Sequence, residues 1–131
     1  MDRLKERMDS ATRALGSLEE LTVLPHATKV ERDASIQRFE FTCEALWKAI
    51  QLGLREQEGI EAASPKAITR AAHKVGLLDE AATRRALEMV DDRNRTVHTY
   101  NESVAQAIHE QLPGYARLLR DWLTAAGRWM R

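Results

Sequence analysis

Apolar residues recur at intervals of three and four through most of the chain, the period of helices with one buried face. Leu4, Met8, Ala11, Leu15, Leu18 and Thr22 form the first run, thickened by Leu21 and Leu24, and predict a helix from about Asp2 to Leu24. Pro25 stops it. After His26-Ala27, Thr28 followed by Glu31 has the spacing of a capping box, so a second helix is expected from about Lys29 to Glu58. Its apolar residues fall on two sides. Ile36, Phe39, Cys43, Leu46, Trp47, Ile50 and Leu54 make a broad stripe, and Phe41, Ala45, Ala49 and Leu52 make another nearly opposite. Such a helix is central to its bundle, or faces its bundle on one side and a second subunit on the other. Between the stripes runs a polar strip, Glu40, Glu44, Lys48 and Gln51. Glu44 and Lys48 suit an i,i+4 pair while Glu40 and Glu44 repel, so the strip is either plainly solvated or set against a cation such as Arg93.

Arg55 to Ala63, with Gly59 and mixed polarity, reads as a loop or a fraying helix end. Ser64-Pro65 is a start signal, a capping serine with proline at the first helical position, for a short helix with Ile68, Ala71, Ala72 and Val75 inside, ended by Gly76. Leu77 and Leu78 plug the core, Asp79 caps a fourth helix, and Ala82, Ala86, Met89 and Val90 are its inner face. Asn101 caps a fifth, whose rhythm of Val104, Ile108, Leu112, Tyr115, Leu119, Trp122, Ala126 and Trp129 persists past a kink or break at Pro113-Gly114. The expectation is an all-α, five-helix, up-and-down antiparallel bundle.

The 131 residues suit one domain spanning residues 1–131, burying about 65–70% of its unfolded surface. Charged residues are 31% of the chain, but 20 Lys and Arg balance 20 Asp and Glu, so any contact with nucleic acid must come from a local cluster such as Arg93 and Arg95. Cys43 is the single cysteine and falls on an apolar stripe, which reads as a core thiol in a reducing compartment. No apolar run reaches the roughly 18 residues of a membrane span, and the charged start lacks a signal-peptide core, so a soluble, cytoplasmic protein is expected. The four histidines, His26, His73, His98 and His109, show no metal-ligand spacing, and neither a metal nor a cofactor is expected. His26, His73 and His109 read as surface or boundary residues.

The densest chemistry lies in Asp91-Asp92-Arg93-Asn94-Arg95-Thr96-Val97-His98-Thr99-Tyr100. On a continuous helix Asn94 would sit beside His98, but β-branched Thr96, Val97 and Thr99, and Asn101 as a new cap, place the helix end near His98. An imidazole, an amide and a guanidinium together can hold a phosphodiester. The plain alternative is an ordinary charged helix end, with Asp91 and Arg95 paired at i,i+4.

Arg93-Asn94, three residues and His98, with Tyr100 two further on, resembles the Arg-polar-x3-His motif of HEPN domains, and more narrowly the nucleotidyltransferase substrate-binding partners of minimal nucleotidyltransferases. Arg38-Phe39-Glu40-Phe41 through Glu44, Trp47 and Lys48, and Ser64-Pro65-Lys66 with Gly76-Leu77-Leu78, support the likeness, which spans roughly residues 36–102. Ala86 departs from it, since many such proteins carry a tryptophan near that position. The resemblance implies a homodimer with two motifs facing one cleft. It further implies a toxin neutralised by a cognate minimal nucleotidyltransferase antitoxin. Acting on RNA without metal, His98 would take the 2′-OH proton or protonate the leaving oxygen, Arg93 would stabilise the phosphorane charge, and Asn94 would orient the imidazole or bind phosphate. Glu40, Glu44 and Arg95 would support the site. Tyr100 would receive AMP from the partner, placing negative charge beside Arg93; the plain alternative is a phenol packed on the bundle end. Two further readings stand beside this ribonuclease: a non-catalytic subunit that binds nucleotide or substrate for a nucleotidyltransferase, and a purely structural helical interaction protein.

Overall fold

The computed structural model describes residues 3–131, all helix and turn, with no strand among them. Five α-helices follow in order: α1 (Arg3–Thr22), α2 (Lys29–Glu58), α3 (Pro65–Lys74), α4 (Glu80–Arg95) and α5 (Glu102–Ala126), with 3₁₀ turns at Thr96–His98 and Gly127–Met130. The five-helix, all-α bundle read from the pattern is the fold the chain adopts. The starting residue Asp2, placed in the first helix by the pattern, lies outside the described residues.

The start signals act as their chemistry requires. Thr28 Oγ1 accepts from the Glu31 amide at 3.1 Å while Glu31 Oε1 accepts from the Thr28 amide at 2.8 Å, a reciprocal capping box. Ser64, Asp79 and Asn101 cap α3, α4 and α5, each such cap contributing about 1 kcal/mol. At the other end of α2, Gly59 takes φ 68°, a left-handed position that a side chain would strain.

Direction along the bundle can be followed from paired levels. Arg38 on α2 donates to the Ser17 carbonyl of α1 at 2.6 Å, and Arg120 on α5 pairs with Glu19 of α1, as antiparallel neighbours allow. α2 and α5 run the same way: Arg32 meets Glu102 at one end, Phe39 stacks on Tyr115 at 5.5 Å in the middle, and Gly53 meets Trp129 at the other end. α3 also follows α2. Its first turn holds Asp91 through Lys66, and the Val75 carbonyl just past its end accepts from Arg128, so residues 59–64 make the return without a helix.

One connected core joins all five helices, with Trp122, Tyr115, Phe39, Leu15 and Leu18 among its fully buried side chains. Cys43, Leu77 and Leu78 lie inside it. The second stripe of α2 splits: Ala49 and Leu52 are buried within the chain, whereas Phe41 is exposed. Pro113 neither breaks nor ends α5, which runs unbroken from Glu102 to Ala126 with the proline at an exposed position. No described helix is long and apolar enough to cross a membrane.

The bundle closes where α2 and the chain's end meet. Gly53 has no side chain because the Trp129 ring occupies that space: a Cβ there would lie 2.1 Å from Cζ3. Trp129 Nε1 donates to Glu58 at 2.9 Å, and Arg128 reaches the same carboxylate at 3.0 Å, holding that carboxyl below its usual range. Gly53→Ala is expected to cost about 1–3 kcal/mol in chemical denaturation, the range for overpacking, whereas Gly16→Ala, with open space around its Cβ, should not destabilise.

Candidate functional site

The site begins where α4 stops being an α-helix. After Arg95 the backbone tightens into the 3₁₀ turn Thr96–His98, and buried Thr96 anchors that turn against α2. Its hydroxyl accepts from Arg93 Nη1 at 3.2 Å and lies 2.8 Å from Glu40 Oε2 and 2.7 Å from the Arg93 carbonyl, sharing its one proton between the two acceptors. Arg93 therefore points inward, onto the polar strip of α2. Its Nη1 stands 3.6 Å from Glu40 and its Nε 3.8 Å from Glu44, with only 22% of the side chain exposed. The buried Nε has no hydrogen-bond partner.

His98 and Tyr100 lie apart from this inner cluster, on the outside of the turn. The His98 Nδ1 is 3.2 Å from the Tyr100 hydroxyl, the rings meet edge to face at 5.8 Å, and Tyr100 is 83% exposed. Asn94 is exposed, and no hydrogen bond joins it to His98. The helix changes pitch between them, as β-branched Thr96, Val97 and Thr99 lead one to expect. Arg95 pairs with Asp92 at 2.9 Å rather than with Asp91, which Lys66 holds at 2.8 Å. Glu44 faces Arg93, the cation against which the polar strip could be set, and not Lys48.

The other face of α4 carries a group that the one-dimensional pattern did not single out. The Tyr115 hydroxyl donates to Asp92 at 2.5 Å, the Arg85 guanidinium lies 4.3 Å over the Tyr115 ring, and Arg85 also reaches Glu88 and Gln111. With Arg95 these residues line a cleft of about 460 Å³ between α4 and α5. In the sequence Tyr115 is only a core position of the fifth helix; the one available signal was a phenol on an otherwise apolar stripe. Burial first, and then the Asp92 carboxylate, push that phenol well above its ordinary range. Burial likewise pushes the Cys43 thiol up, leaving it unreactive.

Charge around the turn is balanced pair by pair. Arg93 faces Glu40 and Glu44, Arg95 faces Asp92, Lys66 faces Asp91 and Arg85 faces Glu88. Among the described residues no three His, Cys, Asp or Glu side chains gather as a metal-holding group.

The sequence profile of the nucleotidyltransferase substrate-binding-protein-like family matches residues 6–127, and the chain belongs to that family. A crystal structure of a Thermus thermophilus protein is 56% identical, with a TM-score of 0.86 over 92% of this chain and 99% of that one. A chain from a crystal structure of a mutant MntA–HpeT toxin–antitoxin pair is 14% identical, with a TM-score of 0.78 over 95% and 97%. A Haemophilus influenzae protein, described as revealing the fold of a substrate-binding domain of a nucleotidyltransferase, is 24% identical, with a TM-score of 0.74 over 91% and 98%. These last two likenesses are of fold. A search of curated proteins returned no match.

Tyr115→Phe keeps the stack on Phe39 and removes the bond to Asp92; in urea unfolding at neutral pH it should cost about 2 kcal/mol, as for a bond to a charged group. A phenol with a raised folded-state pKa stabilises fully below its unfolded value of 10.0 and loses that contribution as pH rises toward the folded value. The gap between wild type and Tyr115→Phe should therefore narrow above about pH 10. Equal stability at neutral pH would show the bond to be idle.

Proposed function

We propose that the chain is the substrate-binding subunit of a nucleotidyltransferase, a non-catalytic partner that holds nucleotide or substrate for that enzyme. Membership of the substrate-binding-protein-like family over residues 6–127 carries this reading. The local electrostatics support it. A catalytic guanidinium has to meet phosphate, yet Arg93 is engaged by two carboxylates and a hydroxyl of its own chain, and swinging it out would abandon Glu40 and Glu44 to each other. In contrast, the outside of the turn is free to meet a partner: His98, Tyr100 and Val97 are all exposed there.

Within this reading Tyr100 is the group offered to the enzyme. Its oxygen would attack the α-phosphate of ATP, forming a phenol–phosphate bond as the bond to the β-phosphate breaks and pyrophosphate leaves. His98 Nδ1, 3.2 Å away, is placed to take the phenolic proton. The added phosphodiester would bring negative charge to the Arg93 turn. Assembly as a homodimer through the exposed Phe41 side of α2, in the cytoplasm, belongs to the same proposal.

One observation favours a second reading, a HEPN-type toxin acting as a metal-independent ribonuclease. Arg93 in the last turn of α4 and His98 in the 3₁₀ turn that follows sit at the same end of the helix, and the imidazole is open to solvent. That reading needs Glu40 and Glu44 to release Arg93, or a second copy to supply the missing cation.

Both are tested by mixing the purified chain with a minimal nucleotidyltransferase from the same organism. The subunit reading predicts co-elution on size exclusion, an added adenylate mass on the wild type with ATP that Tyr100→Phe lacks, and intact RNA after incubation in EDTA. No complex with the enzyme would sink it. RNA cleavage in EDTA, lost in His98→Ala and Arg93→Ala, would establish the ribonuclease instead.

A further inference from the structure

Away from the α4 turn, one cluster of cations has no carboxylate partner among the described residues. Arg3 and Arg7 on α1 and Lys48 and Arg55 on α2 line one groove of about 250 Å³, floored by Gln51 and Leu52. Among the described residues none of the four is in an ion pair, in a chain whose other clustered cations at the α4 turn are matched one by one. Glu44, the nearest carboxylate along the strip of α2, is one turn below Lys48 and faces Arg93. The Gln51 amide is held in place by donating to the Ala62 carbonyl at 2.7 Å.

Helix stability does not account for this arrangement. Arg3 opens α1 and Arg7 lies one turn in, where the helix dipole already presents its positive pole and a cation is unfavourable. Only Arg55, in the last turn of α2, suits its own helix end. Four like charges converging on one small groove repel one another, and a compact multivalent anion relieves that repulsion. Arginine forks match phosphate oxygens in paired bonds, and Lys48 adds a point charge.

We infer that this α1–α2 groove is a phosphate-chain site, taking the polyphosphate of a nucleotide or consecutive phosphates of an RNA strand. It is separate from the Arg93 turn. The polar strip of α2 joins the two, its acidic half, Glu40 and Glu44, against Arg93 and its basic half, Lys48 and Arg55, lining the groove. Net charge near zero makes the anion affinity local rather than global.

Fluorescence anisotropy and calorimetry with the full chain test it, using ATP, inorganic tripolyphosphate and a short single-stranded RNA as probes. Arg7→Ala/Lys48→Ala should weaken binding at least tenfold and flatten its salt dependence, since fewer counterions are then exchanged. Lys48→Arg should retain binding. Arg13→Ala/Arg117→Ala removes two exposed cations outside the groove as a charge-matched control. Binding of ATP and tripolyphosphate without RNA assigns a nucleotide's phosphate chain; binding of RNA alone assigns the strand. No binding of any probe by the wild type, or equal loss in the control, overturns the site. Co-elution of the same variants with the nucleotidyltransferase reads the proposed partnership separately, so either can fail alone.

Discussion

The Thr96 hydroxyl, wedged between Arg93 and Glu40, is the joint on which the rest of the site depends. It ties the end of α4 to the middle of α2, and in doing so decides which way every side chain of the turn faces. Arg93 is drawn in, while His98 and Tyr100 are left out. A buried hydroxyl so placed is costly unless bonded, and here both of its roles are used. The same turn leaves Asp92 free to bond Tyr115, so the joint also positions the α4–α5 cleft behind it.

Electrostatics then divides the surface. Around the α4 turn each cation is answered by a carboxylate, and such half-exposed pairs hold geometry more than they add stability. A site made this way orients groups without drawing in phosphate by field alone. Along the same strip of α2, less than two turns away, the balance shifts toward cations that are in no ion pair among the described residues.

Much of the fold was legible in the sequence because it is local. The capping box at Thr28, the Ser64-Pro65 start, the caps at Asp79 and Asn101 and the three-four spacing each act within one or two turns of helix, and each is found where the pattern placed it. The direction of α3 was not legible, since residues 59–64 carry no signal saying that they double back. The candidate residues Arg93, His98 and Tyr100 were visible as a dense cluster, and Glu40 and Glu44 as a strip wanting a cation. Spacing placed the helix end near His98 but left two readings of the α2 strip open, solvated or set against Arg93, and only the packing of Thr96 between the two helices decides for the second. Nor could it bring Asp92 to Tyr115, or Arg3 and Arg7 to Lys48 and Arg55, pairs joined only by the packing of distant segments.

The central claim is that Arg93 is committed to the carboxylates of α2 and not available to phosphate. Nitrogen-15 spectra of the arginine Nε–H groups, followed while inorganic phosphate is added to the full chain, read this directly. The Arg93 resonance should stay slowly exchanging and unmoved throughout the titration. A saturating shift of Arg93 on phosphate addition would contradict it, and would make the guanidinium an anion ligand after all.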